Sequence, residues 1–125
     1  MKDEVKEAKR YLINAKEILR YKAGKKDRFY GDKKYVRMAG NTAYNGVLEA
    51  LDIIVPSPPK GKHKSIEHYQ HYLAKKDKKI LGLLNDAYNT LHLAMGYDGN
   101  LNVLVVKGGM DTAEEIINYI SSKAA

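Results

Sequence analysis

Apolar residues recur at intervals of three and four along most of this chain, the spacing of a helix with one buried face. Val5, Ala8, Leu12, Ala15 and Leu19 mark such a face over residues 3–23, with Lys and Glu on the remaining positions. Gly24 interrupts the pattern, and residues 25–32 read as a charged connection with an aromatic anchor in Phe29-Tyr30. A second helix is expected from Lys33 to Ile54, facing inward through Val36, Ala39, Ala43, Val47, Ala50, Leu51 and Ile54. Along it, Ala39, Ala43, Gly46 and Ala50 form a stripe of small residues that lets a neighbouring helix come close. Glycine inside a helix costs about 1 kcal/mol relative to alanine, so Gly40 and Gly46 are expected to serve packing rather than helix formation.

All three prolines fall in residues 55–64, where fixed φ and missing amide donors end the helix and stiffen an extended link. Ser65 then opens a shorter helix carrying Ile66, Tyr69 and Leu73, which ends in the basic run 75–79. Ile80, Leu84, Ala87, Leu91 and Met95 define the inward face of another helix, broken at residues 96–100. The last segment admits two readings. Val103 to Val106 is β-branched and Asp111 to Glu114 resembles a capping box, which together suggest strand, turn and short helix. Val103, Val106, Met110, Ala113, Ile117 and Ile120 instead continue the helical steps straight through Gly108-Gly109. We prefer the single helix, because a lone strand would lack a sheet partner with period-two alternation. The expected fold is therefore all-α, an antiparallel bundle of about five helices in one domain over residues 1–125.

Composition narrows the chemistry. The absence of cysteine removes disulfides, thiolate nucleophiles and sulfur metal ligands, and fits a reducing compartment, with the cytoplasm expected. No apolar stretch approaches the ~20 residues needed to cross a bilayer. The formal charge is +7, from 22 basic and 15 acidic residues, and the excess is carried by residues 1–37 and 60–79. From Arg20 to Arg37 the chain holds eight basic and two acidic residues interleaved with aromatic rings. Arg20, Lys22, Lys25, Lys26, Arg28, Lys33, Lys34 and Arg37, with Tyr30, make this the candidate nucleic-acid surface, since cations neutralise phosphates and rings stack on unpaired bases. A solvated lysine-rich loop would have the same composition.

The order of the elements resembles the HEPN-like superfamily, and more closely a family of small bacterial proteins of unknown function within or near it. The resemblance rests on the opening helix with Ala8, Leu12, Ala15 and Leu19, on Ala39 to Val47 in helix two, and on Tyr88, His92 and Tyr97-Asp98-Gly99 before the last helix. HEPN ribonucleases carry an arginine with four to six residues between it and a histidine, and act across a dimer interface. None of Arg10, Arg20, Arg28 and Arg37 stands at that distance from a histidine, and the nearest echo puts Asn85 before His92. Asparagine lacks the fixed charge that stabilises a phosphate transition state, so the resemblance implies a non-catalytic member. Asn85 and His92, seven positions apart, share a helix face with Tyr88 and are candidates for a groove or an interface between subunits.

His63, His68 and His71 have a spacing that invites a metal, but without cysteine or well-placed carboxylates a solvated histidine–tyrosine face is the better expectation, and no metal or cofactor is implied. No phosphate-loop, zinc-protease, nucleophile-elbow or dinucleotide motif is present in the sequence. Ten tyrosines against one phenylalanine and no tryptophan favour association, because tyrosine joins large area to a polar tip. The sequence is thus read as a non-catalytic interaction or regulatory module acting as a homodimer, meeting itself or a protein partner through tyrosines and the small-residue face of helix two. RNA binding through residues 20–37 is the alternative, and residual ribonuclease activity at His92 a third.

Overall fold

The computed structural model describes residues 3–62 and 64–124. Helix α1 spans Asp3–Tyr21, with Asp3 and Glu4 in its first turn and Arg20 in its last, charges that suit the two ends of its dipole. Its buried residues are Val5, Ala8, Leu12, Ala15 and Leu19, the stripe expected from the sequence. The connection that follows is ordered as a small antiparallel hairpin, β1 (Lys25–Lys26) and β2 (Phe29–Tyr30). Strands of two residues leave no periodic signal, so the sequence showed only a charged loop. Its anchor is Tyr30, packed against the core, while Phe29 remains exposed.

Asp32 caps α2 (Lys33–Ile54) by accepting from the Lys34 amide at 3.0 Å. Val36, Ala39, Ala43, Val47, Ala50 and Leu51 are buried as expected, whereas Ile54 is only half-buried and Val55 completes the core at that end. The two glycines serve opposite sides of the helix. A Cβ on Gly40 would stand 2.6 Å from the Leu91 carbonyl oxygen and 2.6 Å from the Met95 Cβ, while one on Gly46 would stand 2.9 Å from the Tyr11 Cβ and 3.0 Å from the Ala8 oxygen. Helix α2 is thus the central element, with α1 against one flank and the helix that follows α4 against the other. Its small residues are consumed inside the chain: Ala39, Ala43, Gly46 and Ala50 are all buried. That corrects the expectation that this face is free to meet a second chain.

Ser65 caps α3 (Ile66–Lys76), its hydroxyl accepting from the His68 amide. Asp77 ends α3 and starts α4 (Lys78–Ala87): its amide donates to the Leu73 carbonyl, and its carboxylate accepts from the Ile80 amide at 3.1 Å. Burial would raise the pKa of the Asp77 carboxyl, but the Ile80 amide and the ammonium of Lys123 outweigh it and hold that pKa below its ordinary value. Helix α4 runs on into a π-helical segment, Tyr88–Tyr97, in which Leu91 and Met95 continue the buried stripe of Ile80, Leu84 and Ala87.

Helix α5 is a single element, Val103–Ala124, as preferred on periodicity. Its cap is Asn102, whose side-chain oxygen accepts from the amides of Leu104 (2.8 Å) and Val105 (3.2 Å). Asp111, part of the apparent capping box, instead pairs with Lys107 one turn earlier in mid-helix. The architecture is an all-α bundle with the hairpin docked at one end.

Replacing Gly40 by alanine forces a methyl group into the backbone of the π segment, and should destabilise the protein by about 1–3 kcal/mol. Gly82 in α4 has open space where its Cβ would be, and Gly82→Ala should stabilise by about 0.5–1 kcal/mol through helix propensity alone. Urea unfolding of both variants checks the pair: equal effects would mean that the close approach at Gly40 does not matter.

Candidate functional site

The hairpin and the first turns of α5 fold together. The Tyr30 amide donates to the Leu101 carbonyl at 2.8 Å, the Val103 amide donates to the Arg28 carbonyl at 3.0 Å, and Phe29 bridges Asn102. This clamp closes one end of a groove of about 660 Å³ between α1 and the first half of α5. Ile13, Leu19, Val103, Val106 and Met110 supply its apolar surface, and Ile13 is 53% exposed. Tyr30 lines the hairpin end, and Lys16, Arg20, Lys25 and Lys107 surround the opening with Glu17. A concave apolar surface with charged edges is a binding surface in form.

Two of those four cations are already engaged. Lys16 contacts Glu114 at 2.7 Å, and Lys107 contacts Asp111 at 2.7 Å, which raises the Lys107 pKa. Arg20 and Lys25 have no carboxylate within 4 Å among the described residues, and the Arg20 guanidinium lies over the Tyr21 ring at 6.0 Å.

Of the candidate nucleic-acid residues, Arg20, Lys25 and Tyr30 come together at the groove. Lys22 borders a smaller hollow with Asn14, Ile18 and Tyr21. Lys26 and Arg28 are exposed on the hairpin. Lys33 and Arg37 lie against the turn at Gly99, on a different neighbour, and Lys34 extends over the Tyr35 ring at 5.4 Å. The basic segment is therefore several small groups of charge. Sequence reasoning missed Lys16, Lys107 and Ile13 as members of the groove, although Ile13 stands off the apolar stripe of α1 and was visible as such.

The second candidate face carries Asn85, Tyr88 and His92. The His92 ring stacks on Tyr44 of α2 at 5.1 Å and 30°, and lies 5.1 Å from Tyr88. Tyr44 and Tyr88 meet edge-on at 6.1 Å. Asn85 turns the other way, its oxygen accepting from the Gln70 amide of α3 at 2.8 Å. All three residues are half-buried, and Asn85 and His92 each have a partner within the chain.

The sequence profile of the family described as Domain of unknown function (DUF5618) matches residues 3–122. The chain belongs to that family. Among solved structures, a protein of unknown function from Dyadobacter fermentans is similar, with 51% sequence identity and a TM-score of 0.90 over 97% of this chain and 96% of that one. No protein with a curated description matches.

In this DUF5618 chain one histidine of the central region, His68, does structural work. The His68 Nε2–H donates to the Pro56 carbonyl oxygen at 2.7 Å, pinning the proline link, and His71 is exposed. His63 lies outside the described residues. No group of three or more histidine, aspartate or glutamate side chains suited to a metal occurs among the described residues. Nearby, the Tyr69 hydroxyl donates to Asp52 at 2.6 Å, and Lys64 contacts the same carboxylate oxygen at 2.6 Å. Burial first, and then that hydrogen bond to a carboxylate, raise the Tyr69 pKa.

The Tyr44 hydroxyl is pushed up to about 12 by burial and then by the neighbouring Tyr88 hydroxyl. A raised folded-state pKa means that the unfolded chain ionises first, so the stability held below pH 10 drains away as the pH climbs towards 12. Urea unfolding at pH 9 and pH 11 should show a smaller loss for Tyr44→Phe than for the unchanged protein. Equal losses would place the sensitivity elsewhere.

Proposed function

We propose that this protein is a non-catalytic interaction module that docks another protein in the groove between α1, the hairpin and α5. The open apolar surface of that groove carries the reading. A protein gains nothing in stability from leaving Ile13 of the groove in water, at 53% exposure, and such surface is the raw material of an interface. The non-catalytic part rests on His92 and Asn85. The imidazole packs against two tyrosine rings that also touch each other, and the amide in the position of the ribonuclease arginine is engaged by Gln70. In this reading the HEPN-like resemblance is one of helical layout.

Self-association belongs to the same proposal, through a different face. Asn41 of α2 meets Gly96 of the π segment, so Met38, one turn before Asn41, and Leu93 and Tyr97, on either side of Gly96, flank one seam. All three are exposed apolar residues, Tyr97 at 76%. Light scattering should give twice the chain mass of 14.1 kDa, and Leu93→Glu with Tyr97→Glu should return it to that value. A monomer in the unchanged protein would remove the homodimer from the reading.

RNA is the second reading, favoured by one observation: Tyr21 and Phe29 expose their rings beside Arg20, Lys25, Lys26 and Arg28. A photo-crosslinking amino acid at position 13, expressed in the protein's native cells, separates the two. A discrete, protease-sensitive adduct that is absent with the crosslinker at exposed Asn118 is expected. A nuclease-sensitive adduct would establish RNA instead, and no adduct at position 13 would overturn the groove as a binding site.

A further inference from the structure

The groove's charge and length select among protein partners. Its apolar wall on α5 runs from Val103 to Met110 and on α1 from Ile13 to Leu19, each about 10 Å at 1.5 Å per residue. That is two helical turns. Arg20 and Lys25 stand at the hairpin end without carboxylate partners among the described residues, and Lys16 and Lys107 edge the opening. From this complementarity we infer that the groove receives an acidic amphipathic helix of about two turns from a different protein. The inference rests on the interaction reading above and names the partner's chemistry.

The occupant places apolar side chains at helical spacing on Ile13, Val106 and Met110, and carboxylates against Arg20 and Lys25. Phosphate is a poorer match. The first amides of α5, which would otherwise cradle an oxyanion, are all taken: Val103 by Arg28, Leu104 and Val105 by the Asn102 side chain, and Val106 by the Asn102 carbonyl. A second copy of this chain does not supply the occupant either. Its two helices richest in exposed acids are α1, with Asp3, Glu4 and Glu17, and α5, with Asp111, Glu114 and Glu115, and the apolar stripes beside them, Val5, Ala8 and Leu12 on α1 and Ala113, Ile116 and Ile117 on α5, are already buried in the bundle.

A displayed library of random peptides of roughly 14 residues, long enough for a helix of two to four turns, tests this by selection against the full chain. Synthesised winners are then measured by fluorescence anisotropy against the unchanged protein, Ile13→Asp, and Arg20→Glu with Lys25→Glu. Circular dichroism melting of each variant keeps folding separate from binding, and all three positions are exposed. The expected result is enrichment of acidic sequences with apolar residues three and four apart, weakened about tenfold or more by the charge reversal and by Ile13→Asp. Neutral or basic winners that still depend on Ile13 would overturn the acidic partner while leaving the groove as an interaction site. Winners indifferent to Ile13, or no winners, would overturn both.

Discussion

Close backbone approach on both flanks of α2 is the constraint on which the rest of this structure depends. Gly40 lets the π segment come within contact of α2 at Leu91, Met95 and Gly96, and Gly46 does the same for α1 at Ala8 and Tyr11. Backbones this near bury the small residues between them with few voids, which is how a short chain with modest side chains reaches a well-packed core. The site elements inherit their positions from that approach. His92 reaches Tyr44 because the π segment lies against α2, and α1 can flank the groove because it is held on the opposite side.

The hairpin contributes differently. Its two-residue strands are too short to stand alone, and they persist through hydrogen bonds to the start of α5. In return, the hairpin closes the groove and occupies the Val103 amide. One local clamp therefore decides both the shape of the groove and the fact that its positive character comes from side chains rather than from a helix end.

Charge along this chain is an unreliable guide to where charge acts. Residues 20–37 hold the densest cluster of cations in sequence, yet in space they divide between the groove, the hairpin surface and the turn at Gly99. Two of the cations around the groove come from outside that segment, and each is partly neutralised by a glutamate or aspartate contributed by α5. Ion pairs this exposed add little stability, but they do set which cations are left to meet a partner.

The sequence by itself determined the helices: their number, the stripes of α1 and α2, the buried positions of α4, and the continuity of α5 through its glycines. Each of these rests on a periodic apolar pattern or a cap within a few residues, which a chain states locally. It also indicated that Gly40 and Gly46 serve packing, because their helical cost needs a return. Only the tertiary structure decided which helix each glycine meets, that α4 continues as a π segment, and that residues 25–30 pair as strands. The groove was hidden for the same reason. Ile13, Lys16, Arg20, Lys25 and Lys107 belong to three elements up to 94 positions apart in the chain, from 13 to 107, and no local pattern records that folding will set them around one opening.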